Sequence, residues 1–235
     1  MILDRKQKIC INCGRNADNL YHQYNKNTIR LSICKYCNGY VDKYIEDDYP
    51  LICIDIFLQN IKAYRHVLIN EDVTNKFTVV LVLLINETFV KWYKMIKENM
   101  GESNNVDIHY SALLFYIVLS QIIIGYVFYC LFLKFMYFIV GRGESQVISY
   151  RKNFSSCVLG SYGYAYKTLV NIWNIEEHWS IEFLYLLMII LSHIQIQRTL
   201  NPAFTKYIVS FCVITSLIFK ESIEYYISDY FITKL

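Results

Sequence analysis

The chain of 235 residues is 55% hydrophobic, carries only two prolines and has a mean hydropathy of +0.26. That is too apolar for an ordinary soluble protein, and the length allows one or two domains. A net charge of +3 is by itself too small to indicate a nucleic-acid partner.

The first element is metal-like. Cys10 and Cys13, then Cys34 and Cys37, form C-x2-C-x20-C-x2-C, with Gly14 after the first pair and Asn38-Gly39 after the second. Two residues between paired cysteines let both sulfurs reach one ion, and the turn residues tolerate the positive φ of a tight knuckle. Strand-like runs, Leu20 to Tyr24 and Thr28 to Ile33, flank Asn25-Lys26-Asn27. The spacing predicts a zinc ribbon over residues 8–40. Two disulfides are the weaker alternative, because Met1 to Lys8 is charged and lacks the apolar stretch of a signal peptide. A redox CxxC is weaker still, since two matched pairs favour one shared metal. Four thiolates close the coordination sphere, so the zinc is expected to be structural. Cys53, Cys130, Cys157 and Cys212 lack paired spacing and read as buried free thiols. Thiolates and free thiols together favour a reducing compartment for this domain.

An acidic stretch from Val41 to Asp48 ends at Pro50, and an amphipathic helix is predicted from Leu51 to Asn70. Ile54, Phe57, Leu58, Ile61, Tyr64 and Leu68 recur at a period near 3.6. Its apolar face suits either packing on the ribbon or lying on a membrane surface.

The double CxxC, then Asp42-Lys43-Tyr44-Ile45-Glu46, Ile54-Asp55 and Ala63-Tyr64-Arg65-His66 with Leu68 and Asn70, resembles the N-terminal homology domain of the ARV family. Three later pieces resemble the same family more loosely: Phe89 to Tyr93, Leu159 to Gly163 and Gln197 to Asn201. Asp42, Lys43, Tyr44, Glu46, Asp55, Tyr64, Arg65 and His66 are therefore the family-motif residues. Internal ion pairing and partner contact are both open to Asp42, Glu46, Arg65 and His66, with pairing favoured for semi-buried charges.

Beyond residue 76 the chain reads as a membrane domain. Spans are expected at about 77–93, 111–140, 156–175, 181–196 and 207–226, with a polar loop from Lys94 to Tyr110 and a turn at Gly141-Arg142-Gly143-Glu144. The first is short for a span, and Glu87 inside it is costly unless it faces protein or water. Gly160 and Gly163 would let helices approach closely. Tyr162, Gly163 and Lys167 are candidate lipid-contact residues on a polar seam shared with Tyr164 and Tyr166; ordinary packing with a snorkelling lysine is the alternative. His193 shares a helix face with Gln197 and, with Arg198, completes that candidate set, unless these residues simply reach the interface. The sequons at Asn86 and Asn153 lie in or beside spans and are expected to be unused.

The expected fold class is thus a small zinc-ribbon β domain (1–76) followed by an all-α multi-span transmembrane domain (77–235). No nucleotide-binding, nucleophile-elbow or metalloprotease pattern occurs, so no enzyme is expected. The resemblance implies an endoplasmic reticulum membrane protein of sterol homeostasis and sterol transport, with the Golgi membrane as a second location. It further implies links to sphingolipids and to glycosylphosphatidylinositol-anchor synthesis. The implied partners are membrane lipids (sterol, sphingolipid or a glycosylphosphatidylinositol precursor) or anchor-synthesis enzyme subunits held by a scaffold, and no nucleic acid. Thiolate chemistry places the N-terminal domain in the cytosol.

Overall fold

The computed structural model describes residues 8–25, 28–73, 77–99, 108–141, 150–175 and 178–232. The chain divides into two compact units, Met1–Lys76 and Phe77–Leu235.

In the first unit each cysteine pair sits on a knuckle. Gly14 (φ 75°) and Asn38 (φ 55°) turn the chain directly after the pairs. Gly14 N donates to Cys10 O (2.8 Å) and Asn38 N to Cys34 O (3.0 Å), closing both loops. Between the knuckles lies an antiparallel hairpin of β1 (Tyr21–Asn25) and β2 (Thr28–Leu31), with Tyr21 opposite Leu31 and an irregularity between Gln23 and Asn25. Every residue of β1 is exposed, so the hairpin buries no face of its own and depends on the knuckles that hold its ends. Ile33 falls outside β2 and bridges Tyr40 across the second knuckle instead. Lys26 and Asn27 of the expected turn lie outside the described residues.

The helix expected over 51–70 is broken. Helix α1 (Tyr49–Phe57) stops in a Schellman arrangement, in which Gln59 adopts φ 60°, Gln59 N donates to Ile56 O and Asn60 N to Asp55 O, both at 2.9 Å. Asn60 then caps a second short helix, α2 (Ile61–Arg65), by accepting from Lys62 N at 3.2 Å, and a π turn follows over His66–Asn70. The break lets Ile52 and Ala63 converge on Ile11 and Tyr44, which a straight helix would separate. Ile52 packs inward, while Leu51, Ile54, Phe57 and Leu58 are exposed.

The second unit is helical throughout its described residues: α3 (Phe77–Asn99), α4 (Ile108–Val140), α5 (Tyr150–Leu159), α6 (Gly163–Ile172), α7 (Trp179–Leu200) and α8 (Lys206–Ile232). Helix α4 is its axis. Leu114, Val118, Ile122, Tyr126, Tyr129, Leu133 and Tyr137 recur every three or four residues and form one buried stripe. Val209, Cys212 and Val213 of α8 and Cys157 and Val158 of α5 complete the core. The outward face of α4 is as apolar, with Phe128, Leu131, Phe135 and Phe138 exposed. A helix apolar all round suits a lipid surrounding.

Several expected boundaries change. Helix α3 runs on to Asn99, so the polar loop begins later than Lys94; residues 100–107 and Arg142 to Glu144 of the two expected connections lie outside the described residues. The expected span at 156–175 is interrupted by a 3-10 turn over Gly160–Tyr162. A Cβ on Gly160 would lie 2.6 Å from His193 Nδ1, and one on Gly163 would lie 2.8 Å from Ile189 Cγ1, so α7 packs directly against this turn. Helix α8 continues past Tyr226 to Ile232. By length and composition, α4 and α7 are the two helices among the described residues that qualify to cross a membrane. Helices α3 and α8 are comparably long but carry charge in their middles, at Glu87 and Lys91 and at Lys220, Glu221 and Glu224.

Candidate functional site

The four sulfurs of Cys10, Cys13, Cys34 and Cys37 lie within 4.8 Å of one another. Cys10 Sγ to Cys37 Sγ and Cys13 Sγ to Cys34 Sγ are each 3.7 Å. A tetrahedron with zinc–sulfur bonds of about 2.3 Å has edges of about 3.8 Å, so the set fits a zinc ion. Cys10 and Cys34 are buried and Cys13 and Cys37 exposed. The Tyr36 N–H, pointing at Cys34 Sγ, holds that thiol down at about 6, while burial pushes Cys10 up to about 12. A bound cation would have to displace the proton from Cys10.

A belt of polar side chains ties this cysteine cluster to the helices. Asp42 is fully buried. Its Oδ1 accepts from Tyr44 N (3.1 Å), and its Oδ2 accepts from Asn70 Nδ2 (2.6 Å) and lies 2.8 Å from His66 Nδ1. Asn70 also brackets Ile9, accepting from its N–H and donating to its carbonyl, both at 3.0 Å. Arg65 Nη1 donates to the carbonyls of Ile11 (2.8 Å) and Asn12 (2.9 Å), inside the first knuckle. Tyr44 donates to Asp55, and Lys43 lies 3.7 Å from the same carboxylate. Burial, with Asp55 beside it, pushes the Tyr44 hydroxyl up. Tyr64 donates to Gln59 Oε1 at 3.0 Å, steadying the α1–α2 break. Six of the eight family-motif residues thus join the ribbon and the turn that follows it to α1, α2 and the π turn; Tyr64 bonds within the helical segment, and Glu46 is exposed.

The second unit holds a charged cluster. Glu87 is fully buried in α3. Its Oε1 lies 2.9 Å from Lys220 Nζ of α8 and 3.5 Å from Lys91 Nζ, and its Oε2 accepts from Tyr126 of α4 at 2.7 Å. Lys91 reaches Glu221 (3.2 Å) and Glu224 (2.5 Å), and Lys220 reaches Glu224 (2.8 Å). Lys220 also stands 4.5 Å from the centre of the Tyr126 ring. The cluster borders a cleft of about 680 Å³ among α3, α6, α7 and α8, with apolar walls that include Leu186, Ile190, Leu217 and Ile218. Tyr164, Tyr185, Tyr225 and Tyr226 also line it.

The expected lipid-contact residues divide. Lys167 lines the cleft, where it is buried and ion-paired with Glu182 of α7. Gly163 packs on α7, and Tyr162 lies outside the cleft lining. His193 is buried in the core, edge-on to Tyr129 at 5.5 Å, and Gln197 beside it donates to Cys157 Sγ and accepts from Asn201. Arg198 bonds Gln195 at 3.1 Å. Neither His193 nor Arg198 reaches the cleft. Sequence reasoning missed Lys91, Lys220, Glu221 and Glu224. The signal was there in part, since Glu87–Lys91 and Lys220–Glu224 are i, i+4 pairs inside apolar helices.

A family model described as the Arv1-like family matches residues 9–196, well over half of the chain. The chain belongs to the Arv1-like family. Among its relatives, the arv1 homolog of Dictyostelium discoideum is 27% identical over 186 residues, which cover 71% of this chain and 74% of that protein. Protein ARV1 of Homo sapiens is 33% identical over 102 residues, covering 43% of this chain and 38% of that protein. Protein ARV1 of Saccharomyces cerevisiae is 47% identical over 62 residues, covering 26% of this chain and 19% of that protein. No solved structure matches. The Arv1-like match takes in the cysteine knuckles, the polar belt and α3 to α6, and ends within α7. Lys220, Glu221 and Glu224 lie beyond it.

Proposed function

We propose that this Arv1-like protein is a multi-span membrane protein of the endoplasmic reticulum that works in sterol and lipid homeostasis by handling lipid directly. Family membership supports the general role. The observation that carries direct handling is the cleft, whose lining combines charged and tyrosine side chains with aliphatic ones inside an apolar helical unit. Such a site suits an amphiphile better than a wholly polar or wholly apolar ligand. The reading treats α3 and α8 as spans alongside α4 and α7, their mid-helix charges being matched to one another rather than exposed to lipid. Zinc is assigned a structural role in a cytosolic first unit. Effects on sphingolipids and on glycosylphosphatidylinositol-anchor synthesis, and presence in the Golgi membrane, follow as consequences of moving lipid. No catalytic role is assigned.

A second reading has its own support. Ile33, Tyr36 and Tyr40 are exposed around the second knuckle, an apolar patch suited to a protein partner, so the chain could instead scaffold a lipid- or anchor-synthesis enzyme. Photo-crosslinking in endoplasmic reticulum membranes, with clickable sterol and glycosylphosphatidylinositol-precursor probes, separates the two. A competable adduct mapping to α3, α7 or α8 supports direct handling. No adduct, with anchor-synthesis subunits co-purifying in fixed ratio, overturns it in favour of the scaffold.

A further inference from the structure

Helix α1 is apolar on both of its faces. Ile52 points inward and packs with Ile11, Tyr44 and Ala63, and Ile56 lies against the same cluster. On the other side, positions 51, 54, 57 and 58 fall within an arc of about 120° at 3.6 residues per turn. Leu51, Ile54, Phe57 and Leu58 are each more than half exposed. Pro50 is the one other residue of the helix in that arc, so the outward face carries no polar side chain. The water-facing side of a helix in a soluble domain carries polar residues. A contiguous apolar patch in their place marks a surface that meets something apolar.

Connectivity, length and charge indicate what covers it. Val73 and Phe77, the first residue of α3, are four residues apart in the sequence, a covalent reach of at most about 14 Å. A bilayer entered by α3 is therefore within tethered reach of this unit. At nine residues, α1 is far too short to cross a hydrocarbon core, so it can meet a bilayer only by lying along its surface. The polar face that a free interfacial helix needs is replaced here by the ribbon packed beneath it. From Lys43 to Lys62 the chain carries Glu46, Asp47, Asp48 and Asp55 against those two lysines. That balance gives no attraction to anionic headgroups, so burial of the apolar side chains is the driving force.

We propose that Leu51, Ile54, Phe57 and Leu58 dock the first unit on the surface of the bilayer that holds the second, inserting into the headgroup boundary of neutral lipid. The proposal rests on the membrane residence of the second unit and not on lipid binding in the cleft. The helix break gives the patch its end: α1 stops at Leu58, and the positive φ of Gln59 turns the chain away just after Phe57 and Leu58.

The test uses the full-length protein in nanodiscs of dioleoyl phosphatidylcholine, with photo-reactive p-benzoylphenylalanine placed at position 57. A comparison protein carries it at position 35, where Lys35 is exposed on the ribbon. After irradiation, mass spectrometry identifies what is attached. Position 57 is expected to take up phosphatidylcholine at least about fivefold more than position 35. Ile54→Asn with Leu58→Asn should lower the adduct at position 57 by about fivefold or more, the scale of withdrawing two half-exposed aliphatic side chains from lipid. Both positions are exposed and tolerate the change, and a thermal melt close to the parent's confirms it. Phosphatidylserine mixed into the nanodisc should not raise the yield. Equal lipid uptake at positions 57 and 35 overturns the proposal, as does a yield that rises with phosphatidylserine and is lost in high salt. A crosslinked dimer in place of the lipid adduct makes the patch a contact between copies, and a crosslink to α3–α8 makes it a contact within the chain; either overturns bilayer docking. A protein that enters nanodiscs but takes up no lipid at position 57 sinks the docking alone and leaves the reading of the cleft standing.

Discussion

Lys220 Nζ and Glu87 Oε1 meet at 2.9 Å across 133 residues of chain. Each alone is an expensive residue for the middle of an apolar helix; together, with Tyr126 bonding the second carboxylate oxygen, they are tolerable. Lys220→Met should therefore cost about 3–5 kcal/mol, because it leaves Glu87 buried with Lys91 as its remaining cation. Glu87→Gln together with Lys220→Met should recover most of that loss, since an amide can still accept from Tyr126. Denaturation of the detergent-solubilised parent, both single variants and the double variant measures this, and a double-variant loss equal to the sum of the two single losses would show that the two residues are not coupled. Sequence reasoning reached half of this. Glu87 stood out as needing a protein or water partner, and pairing with Lys91 was visible at i, i+4. The partner on α8 was not, because no local pattern links positions so far apart. Lys167 is the mirror case: the residue was singled out, but its Glu182 partner was not, because no local pattern links the two helices.

At the scale of elements, the knuckles and the helix break show what local pattern can reveal. The cysteine spacing marked both knuckles, because metal geometry and turn residues act over four or five residues. The break after Phe57 left no such mark: Gln59 takes a positive φ without being glycine, and the apolar period continues through it. Tertiary contacts decide it, since only the bent form brings Ile52 and Ala63 onto Ile11 and Tyr44. Asn60→Ala gives the two forms opposite signs. In a continuous helix the change would stabilise by about 0.6 kcal/mol, because alanine is the better helix former. With Asn60 capping α2, it should destabilise by about 1 kcal/mol. Chemical denaturation of the zinc-loaded protein, followed by hydrogen exchange at Lys62 and Ala63, reads that sign directly.

For the whole molecule, the two units draw on different sources of stability. The helical unit buries a long aromatic and aliphatic stripe on α4 against α8, α3 and α5. In the ribbon, one of the small buried clusters is Cys10, Leu20, Cys34 and Val41, so two of its four members belong to the four-cysteine cluster that fits a zinc ion. Without a cation the ribbon keeps an exposed hairpin and a core half made of thiols, far less than a domain of this size needs. Metal binding of about 10 kcal/mol or more would then supply most of its folding free energy. The polar belt extends that dependence to α1 and α2, because Arg65 grips the carbonyls of Ile11 and Asn12 inside the first knuckle. Chelation of the full-length protein should thus abolish amide protection from Ile9 through Asn70 together, while the amides of α4 and α8 stay protected. Cys10→Ser or Cys34→Ser should reproduce the pattern without chelator. Zinc content measured on the same samples fixes the stoichiometry, expected at one per chain. Unchanged protection over residues 9–70 after full metal loss would remove zinc from its structural role. Loss of protection in α4 in parallel would instead show that the helical unit cannot hold its fold without the ribbon.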